Sequence, residues 1–213
     1  MNSNIKSVKR WIFLTIGLFI LAFGVAFSIK GDLGTSPISS LPYVAGEISG
    51  LTVGTTTILL HCTLILLQIL ILRKQYDWIQ LLQLPVAFIF GFMTDFSVWV
   101  VDGLTPVDYG QKWLLCGIGI VLVAIGVSFE VVAEVVTLAG EGFVLAVCKA
   151  SRIKFGTMKI IFDVVLVAIA CILSLIFLHG IYGVREGTVA AALLVGAISR
   201  QLNKPLGKVF PKG

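Results

Sequence analysis

Charged residues are scarce in this sequence. They make up 13% of the 213 residues, about half of the roughly 25% that is usual in soluble domains. Hydrophobic residues make up 58% of the chain, and the mean hydropathy is +1.04. This composition excludes a soluble globular domain and predicts an integral membrane protein whose surroundings are the lipid bilayer. Because spans of about 20 residues would use nearly the whole chain, we expect a single membrane domain over residues 1–213.

Clusters of metal-binding or catalytic side chains are also missing from the sequence. Cys62, Cys116, Cys148 and Cys171 lie singly in or beside apolar runs, and no C-x-x-C spacing occurs. We therefore interpret the cysteines as packing residues and expect neither a disulfide framework nor a metal site. The chain likewise has no convincing Ser/His, paired-Asp or metal-ligand arrangement. We expect no enzymatic activity and no cofactor.

Acidic residues are fewer than basic ones. The chain has 11 Asp and Glu against 16 Lys and Arg, which gives a net charge of +5. In a soluble protein this excess would suggest nucleic-acid binding, whereas in a membrane protein it marks cytoplasmic loops. We therefore expect no nucleic-acid partner.

Uncharged apolar runs predict an all-α membrane bundle with about six full spans. Two further stretches, 34–50 and 130–150, are apolar enough for the membrane but are broken by Pro, Gly or charge. Because irregular backbone at membrane depth must be buried in protein or line a cavity, we predict broken or re-entrant segments there. Full crossings by these two stretches remain the alternative. The predicted full spans cover about 11–29, 54–72, 79–101, 113–129, 156–178 and 187–199.

The two halves of the sequence resemble each other at an offset of 102 residues. Between residues 10 and 67, 13 of the 58 aligned positions are identical, and the register continues without a gap through the polar breaks. A shift of three more residues aligns the last predicted spans through Gly91 and Gly196. We therefore predict two repeats, about 10–101 and 112–203. The repeated small residues, among them Gly17 and Gly119, are interpreted as sites of close helix packing.

The distribution of cations predicts how the repeats are oriented. If each half has three full spans, the halves are inverted and both termini are cytoplasmic. Twelve cations would then face inward, whereas only Lys30, Lys112 and Arg185 would face outward, in keeping with the positive-inside rule. Four spans in each half would move Arg73 and Lys74 outside, so the inverted arrangement is favoured. The inward cations are Lys6, Lys9, Arg10, Arg73, Lys74, Lys149, Arg152, Lys154, Arg200, Lys204, Lys208 and Lys212.

Several titratable residues lie within or beside the apolar segments. Glu130, Glu134 and Glu141 would lie within about 40° of one another if the helix were continuous. Since a carboxylate at membrane depth costs on the order of 3 kcal/mol, we interpret the three as candidates for binding substrate or protons. A position of Glu130 and Glu134 at the aqueous interface remains the alternative. The repeat places His61 over Asp163, and a titratable group at the same depth in both halves suits a site near the middle of the membrane.

The same residues have a structural interpretation. Asp163 lies four residues after Lys159 and could simply form an intrahelical ion pair with it. His61 could be an ordinary buried, hydrogen-bonded side chain. Sequence alone leaves both alternatives open.

Hydroxyl-rich helix starts are the remaining candidate binding device. Helix N-termini inside a membrane protein present N–H groups to anions such as a substrate carboxylate. We expect such starts near residues 34–37 and 54–57, with a repeat of the second at 156–157. Helix capping alone is the alternative explanation. The residues carried as candidates on this basis are Thr35, Ser36, Thr55, Thr137 and Thr157.

Three motifs resemble those of a known group of proteins. G-D-L-G-T-S-P begins at Gly31, G-L-T-V-G-T begins at Gly50, and R-E-G-T-V-A-A-A-L-L-V-G-A begins at Arg185. Together they resemble the YczE/YyaS group of small bacterial membrane proteins, which is distantly similar to the YitT family. Members often have Trp where this chain has Ile38, which puts the lining of any pocket in doubt. The resemblance implies a multi-pass protein of the bacterial inner membrane and names no substrate or catalytic residue.

These features favour a small secondary transporter or exporter of a small polar or charged solute that works by alternating access. Proton coupling is an open part of this hypothesis. The alternative is a membrane partner that transports nothing and supports another enzyme or assembly. A chain of this length has few residues with which to enclose a transport path. The sequence therefore leaves open whether the protein forms a homodimer.

Overall fold

The computed structural model describes residues 8–207, and its regular structure is helical throughout, with no strand in that range. This confirms the prediction of an all-α bundle. Two short 3₁₀ helices, Arg73–Gln75 and Trp78–Leu82, connect the third and fourth α-helices. The α-helices are α1 (Val8–Gly31), α2 (Pro37–Ser49), α3 (Val53–Leu72), α4 (Gln83–Val100), α5 (Tyr109–Ala133), α6 (Ala139–Ser151), α7 (Phe155–Leu178) and α8 (Glu186–Leu206).

Five of these helical segments, built on α1, α3, α4, α5 and α7, are long and apolar enough to cross a membrane. The prediction from sequence counted a sixth span over 187–199. The corresponding helix α8 has 21 residues, but Arg200, Asn203 and Lys204 make its last turns polar. Helix α8 is therefore not one of the five segments whose length and composition suit a membrane crossing.

The two stretches predicted to be broken each contain a short helix. Helices α2 and α6 have 13 residues each, which corresponds to about 20 Å at the usual rise of 1.5 Å per residue. A hydrocarbon core of about 30 Å is longer than that. Neither helix can cross a bilayer alone, which favours partial over complete crossings.

Helix boundaries follow the spacing of the sequence repeat. Helix α2 begins at Pro37 and α6 at Ala139, while α3 begins at Val53 and α7 at Phe155. Both pairs of starting residues are 102 positions apart in the chain. Each half therefore contains the same order of long helix, short helix and two further long helices.

The first helices of the two halves pack along each other in opposite directions. Gly17 on α1 lies against Gly126 on α5, and Gly24 lies against Gly119, so the partner's numbering falls as α1 advances. A Cβ atom on Gly24 would lie 2.6 Å from the backbone nitrogen of Val123. This agrees with the interpretation of these glycines as sites of close packing, because larger residues would push the helices apart.

The three cations that were predicted to face outward all form ion pairs with aspartates. Lys30 Nζ lies 2.6 Å from Asp102 Oδ1, and Lys112 Nζ lies 2.7 Å from Asp32 Oδ2. Arg185 also approaches Asp32, at 3.7 Å. These contacts join the end of α1, the start of α5 and the α7–α8 connection at one end of the bundle.

We expect the substitution Gly119→Ala to lower the free energy of unfolding by about 1–3 kcal/mol, the usual cost of overpacking. The added Cβ would lie 2.8 Å from the carbonyl oxygen of Gly24 and 2.9 Å from the backbone nitrogen of Ser28. Gly117→Ala is the matched control on the same helix, because nothing lies within 4 Å of a Cβ there. Thermal unfolding of the purified protein in detergent measures both, and equal stability of the two variants would contradict the packing argument.

Candidate functional site

A cavity of about 380 Å³ lies where the helices of the two halves meet. Its volume falls in the range of roughly 300–1,000 Å³ that is typical of small-molecule sites. Most of its wall is apolar, and the polar groups come mainly from the starts of α2, α6 and α7. The apolar wall includes Leu21, Val25, Phe90, Val123, Val127, Ile160 and Val195.

Repeat-equivalent positions from both halves line this cavity. Six pairs are 102 residues apart, and a seventh pair follows the shifted register of the last helices. The cavity therefore lies on the interface between the halves, with each half supplying a similar set of positions. The pairs are Leu21/Val123, Val25/Val127, Ser36/Leu138, Ser39/Glu141, Thr57/Lys159, His61/Asp163 and, at the shifted register, Phe90/Val195.

Half of the ten candidate residues from the sequence line the cavity. Among them are Glu130, Asp163 and His61, for which the sequence left open either a role in a shared site or a separate structural role. Their common location is what a binding site requires, whereas their binding role stays a prediction. The five residues are Ser36, His61, Glu130, Glu141 and Asp163.

Glu130 joins the end of α5 to the start of α6. Its side chain is 3% exposed, and Oε1 accepts a hydrogen bond of 2.6 Å from the backbone N–H of Leu138, the N-cap residue of α6. A carboxylate at a helix N-terminus is stabilised by the helix dipole. Glu130 therefore holds the break between the two helices and also lines the cavity.

Glu141 lies in the first turn of α6 and differs from the other acids of the cavity. Its carboxylate has no hydrogen bond or ion pair within residues 8–207. By contrast, Asp163 accepts a hydrogen bond of 2.6 Å from Lys159 Nζ, so the intrahelical pair considered from the sequence is present. With all four groups ionised, the cavity has three carboxylates and one ammonium group, a formal charge of −2.

His61 is buried on α3, with 2% of its surface exposed. Its ring stacks on Phe90, with the ring centroids 6.0 Å apart and the planes 12° from parallel. Nδ1 is buried and has no hydrogen-bond partner within the described range. Since an unsatisfied buried polar atom typically costs about 1–3 kcal/mol, this nitrogen calls for a partner that the chain itself does not provide.

The start of α2 is rich in hydroxyl groups, whereas the equivalent start of α6 has Glu141 in its first turn and is bonded by Glu130 of α5. Ser36 is the N-cap of α2, with Pro37 in the first turn and no acidic residue there. Ser36 Oγ donates a hydrogen bond of 2.9 Å to Ser39 Oγ. The two short helices thus bring different chemistry to one cavity from equivalent positions.

Glu134 and Thr137 lie away from this cavity. Helix α5 ends at Ala133, and Glu134 has a left-handed backbone with φ of 48°, so the helix that would align the three glutamates is interrupted. Glu134 Oε2 lies 3.5 Å from Arg10. Together with Thr137 it lines a second hollow of about 320 Å³, which Glu130 also lines.

The remaining threonine candidates lie at helix starts outside the cavity. Thr35 is buried against the α7–α8 connection, where its N–H donates a hydrogen bond of 3.0 Å to the carbonyl of Gly183. Thr55 donates its N–H to the hydroxyl oxygen of Thr52 at 3.2 Å, which is the capping role expected as the alternative. Thr157 is exposed in the first turn of α7.

The anion expected at the start of α3 is supplied by the chain itself. Asp95 on α4 accepts hydrogen bonds of 2.7 Å from the N–H of Gly54 and from the hydroxyl of Thr52. The start of α3 is therefore already occupied by a carboxylate and is not open to a ligand. The sequence analysis did not find this capping role of Asp95.

A buried amide pair supports the start of α6 and was also missed. Gln68 and Gln83 are 0% and 2% exposed, and Gln68 Nε2 donates hydrogen bonds of 3.1 Å to Gln83 Oε1 and to the carbonyl of Ala139. A Cβ on Gly142 would lie 2.6 Å from Gln83 Nε2, which explains the glycine after Glu141. A polar residue inside each of two apolar spans was the available signal.

Ser39 and Thr57 were missed as lining residues. The repeat pairs them with Glu141 and Lys159. Carrying Glu141 across the repeat would have found Ser39 from the sequence. Thr57 would not have been found in this way, because its partner Lys159 was not itself a candidate.

Comparison with known proteins gives a family and two relatives. Residues 8–204 match a family described as "Family of unknown function (DUF6198)". From Bacillus subtilis (strain 168), "Uncharacterized protein YyaS" is 32% identical over 120 residues, 56% of this chain and 58% of YyaS. "Uncharacterized membrane protein YczE" is 32% identical over 127 residues, 59% of this chain and 57% of YczE. The alignments thus span less than two thirds of either relative. No solved structure matches the chain. The resemblance to the YczE/YyaS group is confirmed.

We expect Asp95→Asn to destabilise the protein by about 1–2 kcal/mol, because it weakens a charged cap on the start of α3. The matched control is Asp102→Asn, which weakens an ion pair whose acidic side chain is 75% exposed. Such an exposed pair contributes about 0–1 kcal/mol. Denaturation midpoints of the two variants give the comparison, and an Asp95 variant as stable as the wild type would refute the capping role.

Proposed function

We propose that this chain, which belongs to the DUF6198 family of unknown function, is a small secondary transporter of a small polar or charged solute. The observation that carries the proposal is the cavity lined by repeat-equivalent residues from both halves, with Glu130, Glu141, Asp163 and His61 among them. Secondary transporters commonly place their site at the interface of two structural repeats, next to interrupted helices.

The antiparallel packing of α1 and α5 supports an inverted relation between the halves. These two helices hold equivalent places in the repeats, yet they run in opposite directions past one another. A pseudo-twofold axis between them would exchange Gly17 with Gly119 and Gly24 with Gly126. That symmetry suits alternating access, because the two halves can exchange inward-facing and outward-facing conformations around a fixed site.

The polar groups of the cavity can be assigned separate roles in this mechanism. Glu141, which has no partner among the described residues, is the first candidate for binding a cationic group or a proton. The Lys159–Asp163 pair could exchange partners when a charged solute enters, since both residues line the cavity. Glu130 would connect occupancy to the break between α5 and α6, because one of its oxygens holds Leu138.

We place the protein in the bacterial inner membrane with both termini in the cytoplasm, an arrangement in which α8 crosses the membrane as a sixth span. One contact supports this arrangement, because Lys149 Nζ, near the end of α6, donates a hydrogen bond of 3.3 Å to the carbonyl of Gln75, just after α3. The basic segments after α3 and α6 therefore lie at the same end of the bundle. Lys6, Lys208 and Lys212 also belong to the predicted cytoplasmic set, but they lie outside the described residues.

We expect purified protein in proteoliposomes to take up small amines or amino acids when a pH gradient is imposed. Glu141→Gln and Asp163→Asn should each reduce the uptake rate roughly tenfold or more, because each removes a charge from the cavity. Glu134→Gln serves as the control, since Glu134 lies outside this cavity. Equal flux in the wild type and both cavity variants would overturn the assignment of these residues.

The same measurement addresses the alternative function. A membrane partner that transports nothing would show no flux for any solute in the wild-type protein. Neutralising the cavity acids would then leave its cellular phenotype intact, because such a role needs no titratable groups in the interior.

Single cysteines in a cysteine-free variant test the orientation. We expect a membrane-impermeant maleimide to label Val107→Cys in intact spheroplasts and Lys154→Cys only after the membrane is opened. Val107 is 88% exposed in the α4–α5 connection, and Lys154 immediately precedes α7. Labelling of both positions from one side would contradict the inverted topology, since it would put the two connections on the same face of the membrane.

A further inference from the structure

The ligand chemistry of the cavity follows from its walls and rests on the proposed function. Apolar side chains from α1, α4, α5, α7 and α8 make up most of the lining, so a ligand that fills it needs an apolar body. The polar groups of the lining are fewer and come from α2, α3, α5, α6, α7 and α8. A mostly apolar wall with a few polar groups suits an amphipathic molecule.

The charges of the cavity favour a cation over an anion. Lys159 is the one basic residue of the lining, and its Nζ is already paired with Asp163 at 2.6 Å. Lys159 also acts electrostatically on Glu130 and Glu141, but neither glutamate forms an ion pair in the part of the chain that is described. A bound anion would add a like charge beside them, whereas a bound cation would offset one.

A metal ion is a poor match for the same groups. Within residues 8–207, no group of three His, Cys, Asp or Glu side chains is close enough to hold one. An organic cation needs no such ligand cage, because its charge can be met by hydrogen bonds and apolar contact.

His61 provides an observation that is independent of the acids. Its Nδ1 is buried without a partner, and the residue lines the cavity into which Glu141 also projects. In the tautomer that has its proton on Nε2, Nδ1 accepts a hydrogen bond, as a carboxylate does. With His61 in that tautomer, the cavity has two acceptors without donors in the described chain, and a ligand that carries N–H groups would satisfy them.

We infer that the cavity binds an amphipathic organic cation with a primary or secondary ammonium group. The ammonium N–H groups would donate hydrogen bonds to Glu141 and His61. The apolar body would lie against the wall formed by Phe90, Val123 and Val127. A quaternary ammonium ion has the charge but no N–H donor, and a neutral alcohol lacks the charge.

Calorimetric titration of the purified protein with four probes of one shape tests this assignment. We expect benzylammonium to bind roughly tenfold or more tightly than benzyltrimethylammonium, benzyl alcohol or benzoate, as the loss of a charge-assisted hydrogen bond implies. Equal affinity for benzyl alcohol would show that the charge is not recognised, and tighter binding of benzoate would reverse its sign. Either result would overturn the inference.

Two variants locate the binding. Glu141→Gln should weaken benzylammonium binding roughly tenfold or more, whereas Glu134→Gln, outside the cavity, should leave it within about twofold of the wild type. His61→Phe keeps a ring beside Phe90 and should lower the preference for benzylammonium over its trimethylated analogue. Unchanged affinity and selectivity in both cavity variants would overturn the proposed site, and the probe series on the wild type stands even if a variant does not fold.

Binding and flux separate this inference from the proposed function. Benzylammonium that binds but is not carried into proteoliposomes would support the ligand class and contradict transport. Flux of another solute without benzylammonium binding would support transport and overturn the ligand class.

Discussion

The close packing of α1 against α5 is the constraint on which the rest of the structure depends. Glycines at 17, 24, 119 and 126 let the two backbones approach so closely that a Cβ on any of them would meet the partner helix. Lipid tails are as apolar as leucine, so burying apolar surface between helices stabilises the bundle little. The helices depend instead on close van der Waals packing. Side chains beside this seam, Leu21 and Val25 with Val123 and Val127, form part of the cavity wall.

The carboxylates of the bundle differ in whether backbone N–H groups at a helix start satisfy them. Asp95 and Glu130 each accept backbone N–H groups at a helix start, so their charge is met within the fold. Glu141 has no such partner in the described chain, although it lies only three residues beyond Leu138. Because unpaired charge in a membrane interior is costly, this difference distinguishes the two capping acids from Glu141 more clearly than their burial does.

The order and type of the helices could be predicted from the sequence, because apolar runs and their interruptions follow directly from what a bilayer tolerates. Helix α2 begins at Pro37, within the predicted start near residues 34–37. The start of α6 at Ala139 was not predicted, although the offset of 102 residues places it opposite Pro37. The positions and contacts of the individual acidic side chains could not be predicted in the same way. Glu134 was grouped with Glu130 and Glu141 on the assumption of a continuous helix, and the left-handed turn at Glu134 separates them. At that turn Arg10 of α1 donates a hydrogen bond to the carbonyl of Ala133 and lies 3.5 Å from Glu134, contacts that no local pattern contains.

Composition, charge asymmetry and the internal repeat determined by themselves that this is a helical membrane protein of two similar halves. They did so because lipid solvates each segment separately, so that each segment must be apolar by its own composition. Only the tertiary structure decided which polar residues share a cavity and which cap a helix. Asp95 caps α3 across 41 residues of chain, and His61 lies on the same cavity as Asp163 from the other half. Such contacts are set by how helices pack, and packing depends on all segments at once.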